Sequence, residues 1–409
     1  MRPNKMNMKQ KRLMLLGGLR YLIPVIEEAH KLGVYVITAD YLPDNYAHKY
    51  SDEYCNVSII DKEAVLAKAK ELEIDGILSH AVDPGVVSAA YVAEKIGLPF
   101  QCSYEAACIL QDKSLFRKFL SDNGFNCPHA KGYNNIEEAL QDIDYYNWPV
   151  IVKPVDSAGS KGVTKVDIPD ELPEAIEIAL ASSMSKNFII EDFLEKEGFS
   201  AGSESFVVDG KLVYNAFYDQ YFDNEAVNPY TPSAEVWPSM MAVEYQGEIK
   251  RELQRLIDLL GISSGLFNVE CRVCKNGKTY LMEVSPRAGG NRLAEMLNHA
   301  ADVNINEAET RKALGLPLGD IHEPNYRGHY AIKVLYSEHE GIFDGIEIDE
   351  TFRREHVIEE EIRIDIGDKV NSFAGANAAF GTLFLRFDTR EELANALECQ
   401  KEWIKIILK

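Results

Sequence analysis

The sequence LFNVECRVCKNGKTYLMEVSPRAGGNR, residues 266–292, predicts a β-hairpin. Two strand-like runs, 266–274 and 279–284, lie on either side of Asn276-Gly277. An Asn-Gly pair between such runs favours a two-residue type I′ turn, which requires positive φ at both central residues. With that turn, Glu270 faces Glu283 and Asn268 faces Ser285, and because side chains alternate along a strand all four lie on one face.

Two carboxylates that face each other across a sheet repel and need a compensating interaction. A divalent cation is one explanation, because Mg²⁺ accepts carboxylate oxygens together with phosphate oxygens and water. The alternative is that Glu270 and Glu283 are two solvated side chains on the outer face of an ordinary hairpin. The hairpin alone leaves both interpretations open.

The composition describes a soluble globular protein. The chain has 409 residues, with 46% hydrophobic and 26% charged residues, and its length favours roughly two to four domains. Its net charge of −22 argues against nucleic acid and anionic membranes as partners. We expect a cytoplasmic protein, because we find no signal-peptide pattern and no apolar run of about 18 residues. The seven scattered cysteines fit a reducing compartment.

The first hundred residues alternate between strand and helix patterns. Predicted strands cover 12–18, 34–41 and 75–80, and predicted helices cover 21–33, 63–73 and 86–97. This alternation is typical of a Rossmann-like α/β domain with a parallel sheet. Ligands bind beyond the carboxyl ends of the strands in such sheets. Gly17, Asp40, Ser79 and Asp83 are therefore candidates to line a substrate cleft.

A second candidate site lies between two predicted strands, 148–155 and 163–166. The intervening loop, 156–162, is rich in glycine and serine, and its backbone N–H groups could surround phosphate oxygens. Lys153 lies in the apolar strand before this loop, and a buried lysine needs a partner. A phosphate would be such a partner, and a buried ion pair is the alternative.

Farther along the chain, further elements are predicted. They are a strand at 186–194, a hairpin at 203–217 around Asp209-Gly210, a helix at 248–262, strands at 329–336 and 381–387, and a helix at 390–407.

Six motifs in this order resemble the ATP-grasp superfamily of carboxylate–amine ligases, which includes enzymes like biotin carboxylase and carbamoyl-phosphate synthase. They are Asp112-Lys113, Val152-Lys153-Pro154, SAGSKGV (157–163), IIEDFL (189–194), FNVE (267–270) and MEVSPRAGG (282–290). The layout is most like that of L-amino acid ligases. The resemblance implies a pre-ATP-grasp domain (1–104), a small lid subdomain (105–192), a large subdomain with the metal site (193–325) and a C-terminal α+β module (326–409).

The resemblance also implies roles for individual residues. The implied ATP-binding residues are Lys113, Lys153, Ser157, Gly159, Ser160 and Gly162, with Glu191 and Leu194 at the adenine. Glu270 and Glu283 match the carboxylates that bind magnesium. The family motif E-x-N-x-R stands here as Glu283-Val-Ser285-Pro-Arg287, and serine is a poorer ligand than an asparagine amide. Asn268, across the hairpin, could supply the missing oxygen beside Ser285.

The remaining implied residues act on the reacting groups. Arg287 matches the arginine that supports the transferred phosphoryl group, with Lys153 as a second catalytic cation. Arg292 and Asn291 follow the double glycine Gly289-Gly290, and Arg292 is a candidate to bind a substrate carboxylate.

The implied activity is ATP-dependent ligation with Mg²⁺ or Mn²⁺, with two ions expected. A carboxylate attacks the γ-phosphate to give an acyl-phosphate and ADP, and an amine then displaces phosphate. The acid and the amine could both be amino acids, as the likeness to L-amino acid ligases implies. The expected partners are a small-molecule acid and amine, with a homodimer left open. The alternatives are phosphorylation of bicarbonate, as in carbamoyl-phosphate synthases and carboxylases, and a non-catalytic ATP-binding protein.

Overall fold

The computed structural model describes residues 10–157, 161–223, 225–229 and 231–409. The strands are β1 (Arg12–Leu16), β2 (Tyr35–Asp40), β3 (Glu53–Asn56), β4 (Gly76–Leu78), β5 (Ala130–Tyr133), β6 (Val150–Pro154), β7 (Thr164–Val166), β8 (Phe188–Asp192), β9 (Ser200–Val208), β10 (Lys211–Phe222), β11 (Pro232–Trp237), β12 (Gly265–Val273), β13 (Thr279–Ser285), β14 (His329–Leu335), β15 (Gly341–Ile348), β16 (Val357–Ile362), β17 (Lys369–Val370), β18 (Gly381–Phe387) and β19 (Ile404–Leu408). The α-helices are α1 (Ile23–Lys31), α2 (Lys62–Glu71), α3 (Asp83–Ile96), α4 (Tyr104–Gln111), α5 (Lys113–Asp122), α6 (Ile136–Gln141), α7 (Leu172–Ser182), α8 (Val243–Leu260), α9 (Leu293–Ala300), α10 (Ile305–Ala313), α11 (Glu350–His356), α12 (Arg390–Glu398) and α13 (Gln400–Trp403).

The N-terminal sheet is parallel, with strand order β3-β2-β1-β4. Its central strand β1 is an uninterrupted apolar run, and Leu13–Leu16 are fully buried between helices on both faces. The predicted Rossmann-like domain is confirmed. Asp83 begins α3 after a loop of four residues that follows β4.

A small antiparallel sheet, β5-β8-β6-β7, packs against α6 and α7. Helices α4 and α5 belong to a different core, because Ala106 and Phe116 pack with Ile249 of α8 and Val269 of β12. The small lid subdomain was predicted to begin at residue 105. Its sheet begins at β5, and α4 and α5, which precede β5, pack in the other core.

The largest sheet is antiparallel and runs β13-β12-β9-β10-β11-β14-β18-β16. Helix α8 covers one face, and α9 and α10 cover part of the other. Strands β14, β18 and β16 follow residue 325 in the sequence but continue this sheet, so its hydrogen bonding crosses the predicted boundary between 325 and 326.

The helix predicted over 390–407 is wrong in its last part. Helix α12 ends at Glu398, α13 ends at Trp403, and β19 then pairs with β15. The run Ile404–Leu408 is rich in β-branched isoleucine, which favours a strand once a partner strand is present. The helix was predicted to continue through this run because the charged residues before it are spaced as in a helix.

The two hairpins differ in their turns. Asp209 (φ 47°) and Gly210 (φ 78°) both have positive φ, as a type I′ turn requires. At the other hairpin only Gly277 does (φ 72°), so the predicted type I′ turn is wrong there. Cys274 N donates to Lys278 O at 3.0 Å, which closes a loop of three residues.

The pairing predicted for this hairpin is nevertheless confirmed. The longer loop shifts the register by one residue, and a bulge between the Glu270 and Cys271 pairs shifts it back. Glu270 therefore pairs with Glu283, and Asn268 pairs with Ser285. None of the helices in the described ranges is long and apolar enough to cross a lipid bilayer.

Candidate active site

The two facing carboxylates lie where three parts of the fold meet. Glu270 is exposed on the open face of the large sheet, beside Glu283 on β13. Desolvation within the cleft and repulsion from Glu283 raise the pKa of Glu270 above its usual value, and Lys113 opposes the rise. Over the described residues, no group of three or more His, Cys, Asp or Glu side chains converges on one point. A cation bound here therefore needs oxygens from a ligand as well.

Lys113 lies directly opposite this pair. Asp112 caps α5 through its carboxylate, which accepts from Leu115 N at 2.9 Å, and this fixes Lys113 as the first residue of the helix. Its Nζ lies 3.3 Å from Glu283 Oε2 and donates to Ser157 O at 3.0 Å. Although burial opposes it, Glu283 raises the pKa of Lys113, so this lysine is charged at neutral pH.

Lys153 on β6 forms a buried ion triad with Glu191 and Arg117. Glu191 accepts from Lys153 through Oε1, and from Arg117 Nε through Oε2 at 2.9 Å. Burial lowers the pKa of Lys153 to about 8. Burial acts to raise the pKa of Glu191, but the two cations lower it to about 2. All three side chains are therefore charged at neutral pH.

The triad shows what the Glu191 side chain does in the fold. Both carboxylate oxygens are engaged with Lys153 and Arg117, so the carboxylate positions Lys153. Glu191 was predicted to lie in the segment whose polar groups contact the adenine, and that contact stays a prediction. Leu194 lies just beyond β8, where its carbonyl accepts from Arg272 Nη1 at 3.3 Å, and its predicted contact with adenine stays a prediction.

The glycine-rich loop is only partly described. Ser157 contacts Lys113 through its carbonyl. Gly162 has φ +69°, and a Cβ at this position would lie 2.7 Å from the Ser182 side chain, so glycine is required there. The predicted phosphate contacts of Gly159 and Ser160 lie outside the described residues.

Ser285 does not face the carboxylate pair as a free ligand. Its hydroxyl accepts from Gln111 Nε2 at 3.0 Å and donates to Asp83 Oδ1 at 3.2 Å. Both contacts are to protein groups, and the predicted role of Ser285 as a metal ligand stays a prediction. Asn268 is oriented differently, because its amide nitrogen donates to Glu204 Oε1 at 2.7 Å. This leaves the amide oxygen as an acceptor, consistent with the prediction that Asn268 supplies an oxygen.

Arg287 is bound by a carboxylate of the N-terminal domain. Its Nε and Nη2 each donate at 2.7 Å to the two oxygens of Asp83. Although burial opposes it, Arg287 lowers the pKa of Asp83. The guanidinium therefore has a fixed orientation beside Ser285, next to the hairpin that carries Glu283. Of the candidates predicted to line the cleft of the N-terminal sheet, Asp83 thus reaches this site.

The segment after Arg287 crosses the open face of the large sheet. Gly289 N donates to both oxygens of Glu204 on β9, at 3.0 and 3.2 Å. Asn291 Nδ2 then donates to Glu235 on β11 at 2.8 Å. We call residues 286–292 the crossing segment. Carboxylates that rise from the sheet or the N-terminal domain anchor it along its length.

Arg292 ends the crossing segment. Its predicted role in binding a substrate carboxylate is wrong. It has φ 65° and a side chain only 1% exposed, bound by Glu359, by Glu295 at 3.0 Å and by Thr382 at 3.1 Å. Protein carboxylates already neutralise its guanidinium, so it does not offer a free charge to a substrate. Instead it connects α9 to the C-terminal strands β16 and β18. Asn291 likewise contacts a protein carboxylate, and its predicted contact with substrate stays a prediction.

Two comparisons of sequence place this site in a known family. A family model described as an ATP-grasp domain matches residues 146–295, which include Lys153, Glu191, Glu270, Glu283 and Arg287. This part of the chain belongs to the ATP-grasp family. Among curated relatives, the carbamoyl phosphate synthase large chain of Thermotoga neapolitana is 26% identical over 219 residues, or 54% of this chain. The matched part is only 19% of that relative's length.

A second relative of this chain matches over more of its own length. The formate-dependent phosphoribosylglycinamide formyltransferase of a Synechococcus species is 26% identical over 315 residues, covering 76% of this chain and 78% of the relative. The crystal structure of an L-amino acid ligase from Bacillus licheniformis superposes with a TM-score of 0.84 at 19% identity, over 98% of this chain and 100% of that one. The predicted ATP-grasp fold is confirmed.

Several residues of the ATP-grasp site were not predicted from sequence. They are Gln111, Arg117, Glu204 and Glu235. Arg117 had a signal, because it lies four residues after Lys113 and therefore on the same face of α5. Glu204 had one as well, since a charged residue inside a predicted strand needs a polar partner where that strand is buried. Gln111 and Glu235 had no local signal, because their partners come from distant segments.

Glu204 gives the ATP-grasp site a testable pH dependence. Its side chain is fully buried, and burial raises its pKa from 4.5 to about 7, with Asn268 and Gly289 N opposing. A raised pKa contributes stability that is complete below pH 4.5 and is lost as the pH rises through about 7. Relative to Glu204→Gln, the wild type should therefore lose up to about 3 kcal/mol of unfolding free energy between about pH 5 and 8.

Urea denaturation of both proteins across this pH range measures the effect. Glu195→Gln is the matched control, because Glu195 is exposed and pairs with the surface residue Lys275. Its pH profile should follow that of the wild type. Parallel profiles for Glu204→Gln and wild type would contradict the prediction.

Proposed function

We propose that this protein is an ATP-dependent, ADP-forming ligase that joins a carboxylate to an amine. The observation that supports this most is the Glu270–Glu283 pair beside Lys113, within reach of the same cleft as Lys153 and Arg287. A protein that only bound nucleotide would not need two facing carboxylates, which repel unless a cation lies between them.

The residues have complementary tasks in this proposal. Lys113, Lys153 and the N–H groups of the 157–162 loop bind the phosphates, and Glu270, Glu283 and the Asn268 amide oxygen hold Mg²⁺ or Mn²⁺. The donor set is made of hard oxygens, which suits these ions. When bound, the cations neutralise charge that develops on the transferred phosphoryl group. Two ions remain our expectation, and Glu270 and Glu283 are the carboxylates that would hold them.

The chemistry then proceeds in two displacements. A carboxylate oxygen of the acid attacks the γ-phosphorus, the bond to the bridging oxygen breaks, and ADP leaves. The amine nitrogen attacks the acyl carbon, and phosphate leaves with the bonding electrons as a proton leaves the nitrogen. Arg287, held by Asp83, is oriented to stabilise the phosphoryl oxygens, and such preorganised charge is the largest source of catalysis in reactions of this type.

Release of ADP and phosphate, screened across pairs of small acids and amines with Mg²⁺, tests this function. We expect turnover that needs both an acid and an amine. Turnover with bicarbonate alone would indicate a bicarbonate-phosphorylating enzyme instead. ATP binding by calorimetry without turnover on any pair would favour a nucleotide-binding protein.

The proposal includes small-molecule substrates and a cytoplasmic location. A requirement for ATP and seven free cysteines support that location. A homodimer stays a prediction, which sedimentation of the purified protein would test.

A further inference from the structure

A series of buried polar side chains connects helix α10 to the peptide group that precedes Arg287. Gln101 is fully buried in the loop before α4, and its Nε2 donates to Pro286 O. Its Oε1 accepts from Lys312 Nζ at 2.5 Å. Only one orientation of the amide satisfies both partners, because a carbonyl needs a donor and an ammonium group needs an acceptor. We call Gln101, Lys312 and Glu309 the buried relay.

The other end of the buried relay contacts the strand that carries the proposed metal ligands. Lys312 Nζ lies 3.0 Å from Glu309 Oε1, and both side chains are at most 4% exposed. Glu309 Oε2 accepts from Leu266 N at 3.0 Å, near the start of β12. Asn268 and Glu270 follow on the same strand. The buried relay therefore connects β12 with the crossing segment from inside the protein.

The backbone around Gln101 makes room for the buried relay and fixes it. Gly265 has φ 153°, a conformation that favours glycine, and a Cβ at this position would lie 2.6 Å from Gln101 Cβ and 3.3 Å from Lys312 Cε. Ser263 N donates to Gln101 O at 2.9 Å, so the main chain of Gln101 is held as well as its side chain. Both ends of this glutamine therefore have fixed positions.

The composition of the buried relay indicates a role beyond packing. Buried charges contribute little net stability, because the loss of hydration offsets most of their attraction, and apolar side chains of similar volume often stabilise a core as well. The protein nevertheless keeps two charged side chains and an amide here, all of them buried. What hydrogen bonds add to packing is a fixed direction.

The atom that the relay holds belongs to the peptide group next to Arg287. Pro286 O and Arg287 N are parts of one planar peptide group, and Arg287 O accepts from Asn268 N at 2.8 Å. The peptide groups on both sides of the Arg287 Cα are therefore fixed. Because the guanidinium lies at the end of a long side chain, a small rotation of either peptide group displaces it. A displacement of about 1 Å can lower a rate roughly 100-fold.

We propose that Gln101 is a positioning residue for Arg287, the arginine at the transferred phosphoryl group. Asp83 holds the guanidinium end of this arginine, and Gln101 holds its backbone end through Pro286 O. Because Gln101 is fully buried, it acts only through that peptide group. The inference rests on the proposed function and adds a residue to the machinery of that same site.

Gln101→Met tests the inference, because methionine has a similar length and lacks the donor to Pro286 O. On the substrate pair found by screening, kcat should fall about 10- to 100-fold, since the guanidinium is no longer held in its productive position. The KM for ATP should stay within about threefold of wild type, because the lysines proposed to bind the phosphates are unchanged. Steady-state release of ADP at varied ATP measures both constants.

Gln246→Met is the matched control for loss of a glutamine that donates to a backbone carbonyl. Gln246 Nε2 donates to Met241 O at 2.7 Å at the start of α8. Helix α8 packs against Val269 of β12, so by strand alternation it lies on the face of the large sheet opposite to Glu270. This variant should lower the melting temperature and keep the kcat of the wild type.

A second measurement does not depend on turnover. A double-mutant cycle of Asp83→Asn and Arg287→Ala, followed by urea denaturation, gives the coupling between these two residues. In the Gln101→Met background this coupling should fall to less than about half of its wild-type value, because the guanidinium no longer meets Asp83 in one fixed geometry. The Gln246→Met background should keep the wild-type coupling.

The possible outcomes separate this inference from the proposed function. The inference is overturned if the kcat of Gln101→Met stays within about twofold of wild type, or if Gln246→Met loses as much kcat as Gln101→Met does. An unchanged coupling between Asp83 and Arg287 overturns it as well. If the wild type releases no ADP on any pair, the ligase is refuted, and the coupling alone decides whether Gln101 positions Arg287.

Discussion

Replacing Glu283 with alanine should lower the rate of ADP formation about 1,000-fold, or about 4 kcal/mol in the activation barrier. Two interactions disappear together in this variant. Glu270 loses the carboxylate that completes the proposed cation site, and Lys113 loses the carboxylate 3.3 Å from its Nζ. Without the cation, charge that develops on the phosphoryl oxygens is no longer neutralised. Steady-state release of ADP at saturating ATP, on the substrate pair found by screening, measures the loss.

Glu195→Ala is the control for this variant. Glu195 is an exposed glutamate that neighbours the same hairpin through Lys275, so its loss removes a surface charge without touching the cleft. Its rate should stay within about twofold of wild type. Near-normal turnover by Glu283→Ala would remove the basis for the metal site and for the ligase.

The second large effect is expected for Arg287→Ala. This change removes the guanidinium proposed to contact the phosphoryl group and leaves Asp83 without its bidentate partner. We expect a fall in kcat of about 100- to 1,000-fold. We also expect about 3 kcal/mol of destabilisation, because a carboxylate that has lost its cation stays largely desolvated.

A double variant separates the two consequences. Asp83→Asn combined with Arg287→Ala removes the uncompensated charge, so most of the lost stability should return while activity stays low. Urea denaturation and ADP release are measured on the same preparations. Recovery of activity together with stability would mean that Arg287 serves the fold alone.

The pairing in the metal-site hairpin could be predicted, although its turn could not. Alternation along the strands and the Asn-Gly signal gave the correct partners for Glu270 and Asn268. The type I′ turn was wrong, because Lys275 joins the loop and a bulge near Met282 compensates for the extra residue. Two local deviations cancelled, and sequence pattern alone carries no information about either of them.

Side-chain partners were harder to predict than strands. Ser285 is bound by Asp83, which lies 202 positions earlier, and Arg292 is bound by Glu359, which lies 67 positions later. Motif position indicated that these residues lie at the site, but the competing protein carboxylates arise only when distant segments fold together. The partners of the Glu191 carboxylate could not be predicted for the same reason, since its cations come from α5 and β6.

The continuation of the large sheet beyond residue 325 constrains how this protein can be re-engineered. Strand β11 has β14 as its neighbour, and β14 in turn has β18. A chimera that exchanges the last 84 or so residues as a cassette would cut a hydrogen-bonded ladder and leave β11 with a bare edge, which invites aggregation. Grafts intended to alter specificity should therefore keep β11, β14, β18 and β16 from a single parent.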